Sequence, residues 1–405
     1  MKHTLIALLT LAVLALAGPA HADDALRHAR ELLAEHPLID GHNDLPYVIR
    51  EHGRDVESWD LKGEVPGDTN IPKLRDGGVG GQFWSVYIPG TQEAREQGFA
   101  RIQLEQIDIA RRVLAKYPEV FHFSTSVADI EQAREQGKIA SLLGMEGGHA
   151  IENSLGALRM FYALGVRYMT LTHSQSNDWA DAAGQSEHNG LTDFGREVVR
   201  EMNRLGMLVD LSHVTPKVMQ DVLDVSEAPV IYSHSSAHEL TPHMRNVPDA
   251  VLQRLPDNGG VVMASFIALF NTPGYAEWDA GFTRFRGDVQ WGEPEYDGLY
   301  EAYIEEHPLP PATVSDVADH IEHIARVAGH DHVGIGSDFF GASEWMVEGL
   351  TDADDFPVLF AELVRRGWSD EQLIALSRGN ILRAMRAAEQ AAGRLQQQRG
   401  HRWPP

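Results

Sequence analysis

Short apolar runs alternate with longer amphipathic stretches along most of this chain. The runs at 38–42, 81–88, 139–146, 166–173, 207–213, 229–234, 259–266 and 332–338 read as strands. Helical patterns lie between them at 100–117, 154–164, 191–205, 215–225 and 314–328. Thr192, Thr215 and Ser315 stand where helix N-caps are expected. Strands that are apolar almost throughout, divided by helices, predict a parallel sheet covered on its outer face. Eight of them predict closure, so the expected fold class is α/β, a (β/α)8 TIM-like barrel.

Two regions break the alternation. Residues 45–80, rich in Gly, Pro and charge, read as a long loop after the first strand. Residues 270–311 follow the seventh strand and carry Trp278, Phe282, Phe285, Trp291, Tyr296, Tyr300 and Tyr303. Such an insertion leaves the catalytic face of a barrel; a substrate lid and a scaffold excursion over the outer helices both fit. Closing helices are expected at 355–367, 369–376 and 379–392, and residues 393–405 as a frayed tail. The expected organisation is one catalytic domain over 23–392.

Residues 1–22 predict a secretory leader, not part of the fold. Lys2 precedes an apolar stretch over 5–17, and Ala20-His21-Ala22 offers small residues at the cleavage positions. The run is too short for a comfortable membrane span, so the mature chain is expected to be exported, to the bacterial periplasm or beyond it. The chain has no cysteine. Disulfides and a lipoprotein anchor are thereby excluded, and a metal site must use His and carboxylates. The net charge of −25 argues against nucleic acid or anionic lipid as partners. An apolar fraction of 43% supports a substantial core rather than disorder.

Chemistry gathers at the strand ends. Leu38-Ile-Asp-Gly-His42-Asn-Asp44 places an imidazole and a carboxylate two residues apart, a spacing that points both the same way on a strand. Asn43 then faces away, as a turn or core hydrogen-bonder. Glu146 ends an apolar run before two glycines, where a carboxylate is costly unless paired or bound to metal. Its two oxygens suit it to bridge two cations about 3.5–4 Å apart. His213 and His234 end consecutive strands and should be neighbours on the rim, forming with Glu146 a second metal site. Asp210 reads as a supporting group, and His149 as a structural histidine. Asp338 ends the last strand after Gly-Ile-Gly-Ser, where it could shuttle a proton to a leaving amine. His173 could polarise a carbonyl or hold an oxyanion. Ser233 shows no nucleophile elbow. His320 and His323, three apart on an amphipathic helix, could seat a metal but read as a surface face. These endings together give the barrel the look of a metal-dependent hydrolase.

Asp40-Gly-His42-Asn-Asp44-Leu-Pro, Gly144-Met-Glu146-Gly-Gly-His149, Gly165-Val-Arg-Tyr-Met-Thr-Leu-Thr-His173, Asp210-Leu-Ser-His213-Val, Ser233-His234-Ser-Ser, Arg245-Asn-Val-Pro-Asp249 and Gly336-Ser-Asp338-Phe occur in order. Over residues 30–385 the chain resembles the membrane (renal-type) dipeptidase family of zinc enzymes. That resemblance implies two Zn²⁺ per chain, one held by His42, Asp44 and Glu146 and the other by Glu146, His213 and His234. It further implies Asp338 as proton shuttle, His173 as substrate-binding histidine and Arg245 as receptor of the dipeptide carboxylate. One departure is Phe340, where family members often carry an aspartate; it bears on the tuning of Asp338 and on substrate range. The family's mammalian membrane anchor and disulfides have no counterpart here.

The expectation is therefore a secreted zinc dipeptidase in which hydroxide between the metals attacks the peptide bond of a dipeptide, a C-terminal D-residue included. Alternatives are a hydrolase of N-acyl amino acids or cyclic dipeptides on the same barrel, and a non-catalytic zinc-dependent peptide binder. A homodimer is a further expectation, because barrels of this size commonly pair.

Overall fold

The computed structural model describes residues 19–63, 67–287, 289 and 295–399. Among the described residues there are nine strands: β1 (Leu38–Asn43), β2 (Val79–Ser85), β3 (Phe121–Phe123), β4 (Ile139–Glu146), β5 (Val166–Thr170), β6 (Leu208–Asp210), β7 (Val230–Tyr232), β8 (Val261–Ala264) and β9 (Val333–Ile335). They run in the order β2-β1-β9-β8-β7-β6-β5-β4, and a further β2–β4 pairing closes the ring. Every ladder is parallel. This is the eight-stranded (β/α)8 barrel expected from the alternation. The run Phe121-His-Phe was not anticipated as a strand. β3 pairs with β4 at Ile139–Ser141, while β5 joins β4 only from Leu143 onward. β3 therefore fills the flank of β4 that β5 leaves bare, which satisfies backbone groups that would otherwise be orphaned.

The strands are shorter than the apolar runs that announce them. Ladders stop at Thr170, Asp210, Tyr232 and Ile335. His173, His213 and His234 thus lie past the paired residues of their strands, and Asp338 lies between the end of β9 and an isolated parallel bridge of Phe339 to Asn43. Past the ladder the backbone is free to turn: His213, Asp338 and Phe340 have φ of 67°, 68° and 64°. Non-glycine residues hold this left-handed region only where surrounding structure over-determines it, commonly at functional sites.

The helices match the sequence closely, as in Val314–Ala328. Its N-cap is Thr313, in a capping box with Asp316, and Ser315 lies inside the first turn. The stretch after β1 is not a plain loop; it contains helices Leu45–Glu51 and Ile71–Asp76. Asn70 caps the second through its side chain, and Leu45, Ile49, Ile71 and Leu74 anchor both to the core. The last helix, Asn380–Arg399, runs past residue 392 and buries Leu395, so residues 393–399 belong to the fold. The final residues, 400–405, and most of the expected leader lie outside the described residues; helix Pro19–Glu35 spans the expected cleavage point. Among the described residues no helix is long and apolar enough to cross a membrane.

The insertion after β8 forms a helical hairpin, Pro273–Arg286 and Tyr296–Glu306, around its own aromatic cluster of Trp278, Phe282 and Tyr296. Trp345, in the turn after β9, donates its indole N–H to the Tyr300 hydroxyl at 2.8 Å. The hairpin is thereby tied to the barrel mouth at the strands' C-terminal ends. Trp291 lies outside the described residues.

Candidate metal centre

Five strand ends bring His42, Asp44, Glu146, His213, His234 and Asp338 to one point in the mouth, all no more than 8% exposed. Their donor atoms fall into three overlapping groups: His42, Asp44 and Glu146; Glu146, His213 and His234; His42, His234 and Asp338. Glu146 is the shared member of the first two. Its Oε2 lies 3.5 Å from His42 Nε2, while its Oε1 lies 3.0 Å from His213 Nε2 and 3.4 Å from His234 Nε2. His42 Nε2 also sits 3.1 Å from Asp44 Oδ2. Asp44 reaches this point by leaving the strand as the N-cap residue of Leu45–Glu51, not by strand alternation. Asn43 points elsewhere, donating to Thr69 Oγ1 at 2.8 Å and accepting the Leu45 N–H.

The electrostatics suit cations. Burial holds His213 and His234 well below the usual imidazole range, so both keep a lone pair. Their Nε2 atoms face each other at 2.9 Å. Burial also opposes protonation of His42, but Tyr168, Asp44 and Glu146 outweigh it and raise its proton affinity well above normal. Those surroundings call for positive charge. Asp44 Oδ1 is buried with no hydrogen-bond partner, which is costly unless something cationic meets it. Neutral imidazoles and carboxylates without thiolates are a donor set for divalent metals such as zinc. The residues present fit such ions.

Behind the donors stand groups that orient them. The Tyr168 hydroxyl lies 2.8 Å from His42 Nδ1 and 3.2 Å from the Gly41 carbonyl. Ser233 Oγ lies 2.8 Å from His234 Nδ1 and donates to Asp210 Oδ2 at 2.6 Å. Asp210 is thus the supporting group expected of it, acting through Ser233. Tyr168 was missed, although a glycine inside the apolar run of β4 (Gly144, its register partner) signals a close neighbour.

Three more residues border the centre. His173 Nε2 is 4.0 Å from Glu146 Oε1, its ring 4.3 Å from that of His213 and 4.5 Å from that of Tyr87. Burial lowers its pKa, keeping it neutral. Burial pushes Asp338 up to about 7, with Asp44 adding to the rise and His42 and Arg245 opposing it. Arg245 donates to the His234 carbonyl at 3.2 Å and stacks 4.9 Å from the Phe270 centroid. Its Nε is buried without a partner. Phe340 turns its ring onto Gly67, while Asp68 accepts its backbone N–H at 2.8 Å and the Ser343 hydroxyl at 2.8 Å.

The other histidines stand apart. His149 contacts the Ile88 carbonyl at 3.2 Å and packs on Phe99, a structural role. His320 and His323 are not a surface face: they are 1% and 6% exposed. Their side of the helix packs inward, so His320 takes the Ala237 N–H and His323 pairs with Asp249 at 2.6 Å. Glu239, Asp249 and His323 form a further acidic–imidazole group. There Arg326 already occupies His323 Nδ1 at 2.7 Å, and the Glu239 carboxylate accepts the Asp249 backbone N–H. That group reads as an ion-pair relay.

A family model described as membrane dipeptidase (peptidase family M19) matches residues 26–399. Dipeptidase 3 of Mus musculus is 41% identical over 377 residues, covering 91% of this chain and 68% of that protein. A metallo peptidase from Rhodobacter sphaeroides, solved with a phosphinate mimic of L-Ala-D-Ala, is 26% identical with a TM-score of 0.71, covering 87% of this chain and 99% of that one. The probable dipeptidase PvdM from Pseudomonas aeruginosa shares the fold, at 23% identity and a TM-score of 0.76 over 91% of this chain and 100% of its own. The chain belongs to the membrane dipeptidase family, peptidase family M19, and is a metallo-dipeptidase.

Proposed function

We propose that this protein is an exported dipeptidase that works with two Zn²⁺ per chain, one on His42, Asp44 and Glu146 and one on Glu146, His213 and His234. The observation that carries this reading is the split of Glu146, whose two oxygens face different sets of imidazoles. Bound there, the two cations supply Lewis-acid polarisation of the scissile carbonyl and make water nucleophilic at neutral pH.

The chain's own residues do the rest. Arg245, held by the His234 carbonyl and Phe270, offers its unpartnered Nε to the dipeptide's terminal carboxylate. His173 is kept neutral, and the Ser174 hydroxyl lies 3.0 Å from its Nδ1. With that hydroxyl donating, Nε2 carries the hydrogen and can bond the carbonyl oxygen as charge develops on it. Asp338 holds a proton near neutrality because burial opposes its ionisation, and it delivers that proton to the leaving amine. The Rhodobacter relative's phosphinate ligand mimics L-Ala-D-Ala, which supports including D-residues at the C-terminal position. Export rests on the leader pattern of residues 1–22.

The test is hydrolysis of a dipeptide panel, L-Ala-D-Ala and L-Leu-L-Leu included, by apo protein and by protein given two equivalents of Zn²⁺. Zinc-dependent cleavage is expected. Two bound zincs with no member cleaved would move the substrate to another amide class, and failure to bind two would end the paired-metal reading.

A further inference from the structure

The end of the barrel opposite the metal centre has a cavity of its own. Its volume is about 440 Å³, a size typical of small-molecule sites, and it is walled where β1 and β2 begin, by Ile39 and Val79 among others. Arg75, Arg134, Lys138 and Arg378 also line it. Four cations on one cavity are unexpected in a chain of net charge −25.

Little on the protein neutralises them. Arg75 donates to the Gly137 carbonyl at 2.9 Å and Arg134 to the Glu35 carbonyl at 3.0 Å, so both meet neutral acceptors and keep their charge. Lys138 donates its backbone N–H to the Ala133 carbonyl, while its ammonium makes no hydrogen bond or ion pair among the described residues and feels only the exposed Glu119 at longer range. Arg378, its side chain only 9% exposed, commits Nη2 to both oxygens of Glu131 at 3.1 Å. Glu131 is shared with Arg386 at 3.2 Å. The one carboxylate lining the cavity, that of Glu35, is 80% exposed and turned to solvent. A recess with low-dielectric walls focuses the field of such an excess.

We propose that this cavity binds a small organic oxyanion, a phosphate monoester above all, with the charged head on Arg134, Lys138 and Arg378 and the apolar body on Ile39 and Val79. Guanidinium groups match tetrahedral oxyanions through paired N–H donors, and Lys138 adds a point charge. The apolar wall favours an organic ligand over a bare ion.

Calorimetric titration of the metal-loaded enzyme with phenyl phosphate, benzenesulfonate and inorganic phosphate tests this. Phenyl phosphate is expected to bind one-to-one, more weakly as salt rises, and more tightly than inorganic phosphate. Benzenesulfonate, of the same shape with one negative charge fewer, is expected to bind more weakly than phenyl phosphate; equal or tighter binding would overturn the charge argument. The R134A/K138A variant, altered only at the cavity rim, should bind at least 10-fold more weakly while cleaving dipeptides at the wild-type rate; R378Q should weaken binding further. No binding, or undiminished binding in R134A/K138A, would overturn the proposal. So would competition by a dipeptide, which would place the phosphate at the metal centre.

Discussion

The Tyr168 hydroxyl meets His42 Nδ1 at 2.8 Å across the barrel interior, 126 residues away in sequence. Because the same hydroxyl can donate to the Gly41 carbonyl at 3.2 Å, it accepts the Nδ1 hydrogen. That fixes the tautomer in which Nε2 presents a lone pair towards Asp44 and Glu146.

Tyr168→Phe should therefore keep the barrel but weaken metal binding at the His42 side, by about 10- to 100-fold. Metal content after dialysis against graded free Zn²⁺ measures this. Unchanged affinity would reduce Tyr168 to a packing residue.

Gly144 makes room for that tyrosine. A Cβ at Gly144 would lie 2.0 Å from the Tyr168 ring, which is fully buried and has nowhere to move. Gly144→Ala should cost about 1–3 kcal/mol of stability through overpacking, read as a lower Tm. It should also disturb metal binding as Tyr168→Phe does.

Asp338→Asn keeps the size of the side chain and removes the transferable proton. Bound metal should stay at the wild-type level while kcat falls about 10²- to 10⁴-fold. Metal analysis beside steady-state kinetics separates the two, and a fully active variant would remove Asp338 from proton transfer.

Arg245→Met should raise KM for free dipeptides about 10- to 100-fold, the weight of one charge-assisted contact. Dipeptide amides, which lack the carboxylate, should be affected far less. An equal effect on both would move carboxylate recognition elsewhere.

His320 makes stability pH-dependent. Burial lowers its pKa from 6.5 to about 4, and the neutral ring accepts the Ala237 N–H at 2.9 Å and meets the Asn271 carbonyl at 3.2 Å. Below pH 6.5 the unfolded chain takes up a proton that the folded chain refuses. Its contribution is thus intact above 6.5 and is lost as pH falls towards 4, by up to about 1.4 kcal/mol per pH unit. Urea unfolding of wild type and His320→Gln at pH 7 and pH 5 checks this; the variant should show the shallower loss.

The linear pattern determined much of this protein. Near-continuous apolar runs announce the eight barrel strands, because a strand buried on both faces needs apolar side chains throughout. A His or carboxylate at the end of such a run is legible for the same reason: there it pays a desolvation cost that only function or pairing offsets. His42, Glu146, His213, His234 and Asp338 were readable in this way. What lies across the barrel was not. The Tyr168–His42 contact and the Asp210–Ser233–His234 relay depend on strand register and closure, which join residues far apart in sequence. The inward packing of His320 and His323, the short pairing of Phe121–Phe123 and the cationic cavity at the far end are likewise decided by neighbours. Periodicity records which positions are apolar, and only tertiary packing decides which polar groups come to face one another.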